Sequence, residues 1–216
     1  KNVKPVSIPD IIGEIKPDIK SNTILIVDVS YPKYYYHMFP SPQSSQMPIH
    51  RANISQLSNE ISSKTRFNVR IKKYYTEYVW NTPLYSNETQ FNSKVKISKN
   101  KSIEKDLNLS NLVIVPYNST VHLQSISKNF PTLLYFDKSF YSFRSQHLEL
   151  FNKLKKQGIL HDSKESLINF IIENSNDIMS WWLSKKVQYL LNDFKKTFCN
   201  TSNKWPNDIK EVINNI

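Results

Sequence analysis

The chain has 216 residues, a formal net charge of +11, a hydrophobic fraction of 39% and a single cysteine, Cys199. That length supports one large domain with a real core, and no apolar run reaches the roughly 18 residues that a membrane-spanning helix needs. One cysteine excludes an internal disulfide framework and fits a reducing compartment, so a cytoplasmic location is expected.

Residues 1–22 hold Pro5, Pro9 and Pro17 with little periodicity and read as a linker or leading strap. The polar start carries no signal-peptide pattern, and a chain opening on Lys1 reads as trimmed or as part of something longer. Thr23–Val29 (TILIVDV) is a continuous apolar run suited to a buried parallel strand. Ser30–Pro48 is a long aromatic and proline-rich loop, and loops of that length in a compact domain are usually functional. Apolar positions 49, 54, 57 and 61 predict a helix over Ile49–Ser63. Phe67–Lys73 alternates as a second strand, Tyr74–Pro83 is another aromatic loop, and Leu84–Phe91 reads as a short helix. Val95 and Ile97 mark a third strand, and Ser102 is placed to cap a helix over Ile103–Leu107.

The stretch from Asn111 to Asp137 is the most informative. An apolar run (Leu112–Val115) is followed by Pro116, a polar turn (Asn118, Ser119, Thr120), a segment of helical spacing, and a second apolar run ending at Asp137. Strand, turn, helix and strand in this space form a βαβ unit. Beyond it, helical spacing covers roughly Ser142–Gln157, with Gly158 where a left-handed C-cap residue is needed. Ile159–Leu160 is a strand stub, and Asp162 with Glu165 reads as a capping box for a helix over Ser166–Asn174. Ser180–Phe198 is predicted as one long amphipathic helix, and a short helix follows Pro206. The expected fold is α/β, a Rossmann-like parallel sheet flanked by helices. The expected division is 1–22 linker or entry segment, 23–179 Rossmann-like ligand-binding domain, and 180–216 C-terminal amphipathic helix and tail.

The two glycines, Gly13 and Gly158, cannot build a GxGxxG or P-loop motif. Phosphate must then be held by hydroxyls and helix-terminal amides. Tyr117, Asn118, Ser119 and Thr120 offer these after a buried strand, at a helix N-terminus, where open α/β sheets bind ligands; plain helix capping is the alternative. Tyr31, Lys33, Tyr34, Tyr35, Tyr36 and His37 follow the first strand at the same sheet edge. Lys33 or His37 would neutralise phosphate and a tyrosine would stack on a base or sugar; a packing loop is the other reading. Asp137 is a candidate for ribose hydroxyls or a turn cap, and Arg144 for a phosphate or sugar-acid carboxylate or an ion pair with Glu149.

The lysines are spread along the chain among Asn and Ser, and the clusters Lys94–Lys105 and Lys153–Lys156 lack interleaved aromatics. No nucleic-acid partner is expected; attraction to anionic headgroups or nucleotide phosphates remains open beside a solvated basic surface. His122, His147 and His161 show no metal-ligand spacing, so no metal is expected and a structural role is assigned. Cys199 reads as packing. Trp181 and Trp182 read as core or as a docking face, against a sugar platform. No catalytic residue can be named.

Five stretches carry a resemblance: Ile26–Tyr36 (IVDVSYPKYYY), Leu112–Thr120 (LVIVPYNST), Asn129–Asp137 (NFPTLLYFD), Leu154–Asp162 (LKKQGILHD) and Ser180–Gln188 (SWWLSKKVQ). In order and spacing they resemble bacterial transferases of surface-carbohydrate biosynthesis whose architecture is similar to the glycosyltransferase-B type. The resemblance implies that this chain is the C-terminal, donor-binding half, with an acceptor domain before Lys1. It implies a UDP-, GDP- or CMP-linked sugar donor as substrate, no cofactor, a glycan or lipid-linked glycan acceptor, and peripheral contact with the inner membrane face. Where the family pattern has an acidic residue and a glutamate, this chain has Asn118 and Gln124. That departure keeps a non-catalytic nucleotide-binding scaffold open, beside a basic module for anionic polymers or membrane.

Overall fold

The computed structural model describes residues 15–18, 21–29, 44–73, 91–199 and 205–214. The apolar runs form one parallel sheet of β1 (Thr23–Val27), β2 (Asn68–Lys72), β3 (Val95–Ile97), β4 (Leu112–Val115), β5 (Thr132–Tyr135) and β6 (Leu160–His161). Its order is β3-β2-β1-β4-β5-β6, every pair parallel. This is the doubly wound order, with its reversal between β1 and β4. The expected Rossmann-like α/β class is the one observed.

Strands without a polar face need cover on both sides. Alternate residues therefore feed two cores. Leu25, Val113, Val115 and Leu134 pack with Ile126, Leu154, Trp182, Leu191 and Phe194 on one face. Ile24, Ile26, Ile114 and Leu133 pack with Ile54, Leu57, Ile61, Leu167 and Ile171 on the other. Each such side chain taken fully out of water contributes about 1.5–3 kcal/mol before chain entropy is set against it.

Helix α1 (Met47–Lys64) begins two residues before the predicted start. Pro48 lies in its first turn, where a missing N–H costs nothing. Helix α2 (Ile103–Leu107) has the predicted cap, the Glu104 N–H donating to Ser102 Oγ at 3.2 Å. Helix α3 (Thr120–Ser127) crosses from β4 to β5, and α4 (Leu148–Lys156) from β5 to β6. The helix predicted from Ser142 starts only at Leu148, after a 3-10 turn at Ser145–His147. Phe143 stacks on Phe151 with ring centroids 4.0 Å apart, and Tyr141 packs on Phe136 at 5.2 Å. These tertiary contacts hold 141–144 out of the helix and override its local spacing. Gly158 (φ 73) closes α4 as expected: its N–H donates to the Lys155 carbonyl and the Ile159 N–H to Leu154, a Schellman pair.

Two further predictions are corrected. Helix α5 (Lys164–Asn174) is capped by Ser163, whose Oγ accepts from the Ser166 N–H at 3.2 Å; Asp162 is drawn instead to Lys155 at 2.5 Å. The helix predicted over 180–198 is two helices, α6 (Ile178–Leu183) and α7 (Lys185–Phe198), divided at extended Ser184. The break lets Trp182 turn inward, fully buried, with its indole N–H donating to the Asn129 carbonyl at 3.1 Å. Gln188 Nε2 takes the freed Trp182 carbonyl at 2.8 Å. Helix α8 (Trp205–Asn214) ends the described chain. Among the described residues no helix is long and apolar enough to cross a membrane. The predicted loop up to residue 43, the aromatic loop at 74–83 and most of the helix predicted over Leu84–Phe91 lie outside the described residues.

Candidate functional site

A parallel sheet brings the ends of β1, β4 and β5 to one edge. The turn from Tyr117 to Thr120 rises there as a ridge between two clefts. One cleft, about 250 Å³, lies at the β1/β4 reversal and is lined by Asp28, Lys72, Lys73, Lys101, Ser119 and Thr120, with Tyr117 and Gln124 beside them. The other, about 360 Å³, opens on the β5 side, with Asn118, His122, Arg144 and His147 among aromatic walls. Successive residues of the turn thus face different cavities.

The turn leads into α3, whose first amides and dipole favour an anion. Ser119 is the N-cap. Its N–H donates to His122 Nδ1 at 3.4 Å. Its Oγ is set over the third amide of α3 in capping-box fashion yet, though buried, makes no hydrogen bond of normal geometry among the described residues. Burial lowers the pKa of His122 to about 4, and the Ser119 N–H offsets that only partly. The imidazole is therefore neutral, with Nδ1 accepting and the proton on Nε2.

The basic cleft has two supports that sequence reasoning missed. Asp28 is fully buried at the end of β1; its Oδ1 accepts from the Val29 N–H at 2.8 Å and lies 2.9 Å from Nε2 of buried His50 on α1. An acidic residue closing an apolar strand was the signal available, the same one that singled out Asp137. The second support is Asp106 of α2. Its fully buried carboxylate accepts from Ser98 Oγ and from Asn100 Nδ2, both at 2.7 Å, and lies 3.2 Å from Lys72 and 3.4 Å from Arg70. Lys72 also donates to the Asn100 and Lys101 carbonyls. The basic wall is therefore a built structure, part of the 94–105 stretch that reads in sequence as a solvated lysine run.

The remaining sequence-predicted residues divide. Arg144 is extended and exposed at the mouth of the aromatic cleft, and Glu149, its expected ion-pair partner, binds Lys153 at 2.7 Å instead. Asp137 lines neither cleft: Oδ1 accepts from the Ser139 N–H at 2.9 Å, while Oδ2 accepts from Tyr135 Oη at 3.0 Å and Asn53 Nδ2 at 3.3 Å. Burial first, then the Asp137 charge, pushes the Tyr135 hydroxyl upward. Tyr31 and Lys33, with Tyr34 to His37, lie outside the described residues. His161 is buried, its pKa lowered to about 4 mainly by that burial, and bonds to Ser166 Oγ and the Gly158 carbonyl. Cys199 packs in the core, its thiol pushed up to about 11 by burial. Among the described residues no group of three His, Cys, Asp or Glu is placed to hold a metal ion.

The family model described as LIC12162 family transferase matches residues 1–213. No curated protein matches the chain. Among solved structures, one titled "Crystal Structure of TarM" aligns over 94% of this chain and 36% of its own, at 10% identity and a TM-score of 0.50. Another, titled "Structure of the Wall Teichoic Acid Polymerase TagF", aligns over 92% and 44%, at 13% identity and a TM-score of 0.45. Such identities concern the fold alone, and this chain spans less than half the length of either.

Proposed function

Because the chain belongs to the LIC12162 family of transferases, we propose that it is the donor-binding half of a glycosyltransferase of the B type, using a nucleotide-activated sugar. The observation that carries the reading is the turn at the carboxyl edge. The turn brings an unsatisfied buried Ser119 hydroxyl, the N-terminus of α3 and a lysine-lined cleft together at the point where doubly wound sheets bind ligands. In this reading the donor's phosphates lie against Ser119, Thr120 and the first amides of α3. Negative charge grows on the phosphate as the bond to the sugar breaks. The α3 dipole and the positive charge of the lysines lining the cleft would then stabilise the transition state more than the ground state.

Asp28 is the one carboxylate lining either cleft among the described residues, and it is already engaged by Val29 and His50. A base for the acceptor hydroxyl would therefore come from the acceptor half, outside these residues. The resemblance of the five segments to surface-carbohydrate transferases supports a glycan or lipid-linked glycan as acceptor. The same engagement of Asp28 favours the second reading, a donor-holding scaffold that serves a separate catalytic partner.

Calorimetric titration tests donor binding. Pyrophosphate and nucleoside diphosphates are expected to bind, and Ser119→Ala with Thr120→Ala to weaken them by about tenfold or more, the worth of a charged hydrogen bond. Affinity unchanged by both substitutions, or confined to polyanions and collapsing with salt, would overturn the reading. Donor hydrolysis by the protein joined to its acceptor half separates enzyme from scaffold.

A further inference from the structure

The basic cleft draws on the lysine stretch at 94–105 and leaves the one at 153–156 without a purpose. Helices α4 and α7 pack antiparallel. Phe151 meets Phe198 at 5.8 Å, while Lys156 and Gln157 share a groove with Ser184 and Lys186 at the other end. On this pair α4 carries three lysines against Glu149, and α7 four against Asp193, with no arginine on either. Lys153 is tied to Glu149 at 2.7 Å and Lys155 to Asp162 at 2.5 Å. Lys156, Lys185 and Lys186 are exposed and have no ion-pair partner among the described residues.

Two bulky side chains stand out of the same surface. Leu183, immediately before the Ser184 break, is 55% exposed, and Tyr189 is 72% exposed. Tyr189 lies one turn on from Lys185 and Lys186, on the outward side of a helix whose inward side buries Val187, Leu190, Leu191 and Phe194. Beside the start of α7 opens a groove of about 480 Å³, with Lys156, Lys186 and Asn169 in its lining and Glu173 the one carboxylate among its described residues.

A single exposed leucine or lysine needs no explanation. An aliphatic chain and a phenol standing among unpaired ammonium groups do. Lysine is a point charge suited to a diffuse anionic surface, whereas nucleic-acid recognition favours arginine forks, which both helices lack. Leu183 gains nothing from a polyanion in water. At the boundary between lipid headgroups and acyl chains it gains burial, and there the polar tip of a tyrosine stays wet while its ring does not.

We propose that the α4/α7 face is a docking surface for an anionic lipid bilayer, with Lys156, Lys185 and Lys186 against the headgroups and Leu183 and Tyr189 entering the interface. This goes beyond the donor reading and does not rest on it. The far end of α7 walls the aromatic cleft, so docking holds that cleft beside the headgroups, roughly one helix diameter, or about 10 Å, away.

The test is flotation of the full chain with vesicles of phosphatidylcholine alone and of equal parts phosphatidylglycerol and phosphatidylcholine. Binding to the anionic vesicles only is expected. Lys156→Glu, Lys185→Glu and Lys186→Glu together should weaken it on the order of a hundredfold, from about fivefold for each lysine near a charged surface. The same reversal at Lys16, Lys64 and Lys96, exposed on other elements, should cost far less. Leu183→Ser with Tyr189→Ser leaves the charge unchanged and should weaken binding about tenfold. All of these side chains are exposed, so the variants keep the fold. No binding to the anionic vesicles, equal losses from the two lysine sets, or unchanged binding by the Leu183 and Tyr189 variant overturns the proposal. So does retention of single-stranded RNA through Lys156, Lys185 and Lys186 without vesicle binding, which would make this a nucleic-acid face.

Discussion

Replacing Asp106 with asparagine should destabilise the protein far more than a surface change. The carboxylate is fully buried and holds four partners from two segments: Arg70 and Lys72 of β2, and Ser98 and Asn100 of the loop after β3, all brought to α2. At 3.2 Å the Lys72 ammonium is attracted with roughly 5 kcal/mol at an effective dielectric of 20. Desolvation offsets much of that, so the net worth of the pair is smaller. Its rupture is another matter, because the Lys72 side chain is only 10% exposed and would keep its charge without a counter-ion. Breaking such a pair costs about 3–5 kcal/mol, a large share of the 5–15 kcal/mol typical of a whole domain. Urea denaturation followed by tryptophan fluorescence reads this directly, with buried Trp182 as a reporter. The Asp106→Asn, Lys72→Met double variant should recover much of the loss, since the more buried of the two cations is gone and Arg70, the other, is more exposed to water. A single-variant loss under about 1 kcal/mol, or strict additivity in the double variant, would refute the reasoning.

Two other outcomes follow from the packing. Gly158→Ala should lower stability by about 2–4 kcal/mol, combining a left-handed backbone with overpacking, because a Cβ there would lie 2.2 Å from the Phe170 ring; an unchanged urea midpoint would refute this. His122 and His161 have pKa values near 4 in the fold against an ordinary 6.5. Between those values the unfolded chain binds protons that the fold refuses. Stability is therefore complete above about pH 6.5, falls as pH drops toward 4, and levels off below, by an order of 3 kcal/mol for each histidine. His161→Asn should remove about one proton from the slope of stability against pH, and an unaltered slope would show that the imidazole titrates freely.

The sheet was largely legible because its strands are buried on both faces, so TILIV, LVIV and TLLY stand out as unbroken apolar runs. Ser102 and Gly158 were legible because capping chemistry is local. What escaped was set by partners distant in sequence. Nothing near Ser184 announces that Trp182 must reach the Asn129 carbonyl, and nothing near Phe143 announces Phe151 as a stacking partner strong enough to stop a helix. The candidate site divides in the same way. The hydroxyl turn after β4 is a local motif, whereas Asp28 meets His50 across 22 positions and the aromatic cleft draws on segments from Asn118 to Phe198.

The interruption at Ser184 makes α7 a ruler. Its 14 residues span about 21 Å at 1.5 Å each. The helix is anchored at one end by its Ser184 cap and delivers Phe194 and Phe198 to the cavity at the other. Inserting or deleting one residue between Val187 and Phe194 would swing both rings by about 100° around the axis while the anchored end stayed put. Chain length in this helix therefore tunes the shape of a chamber built mostly by other segments.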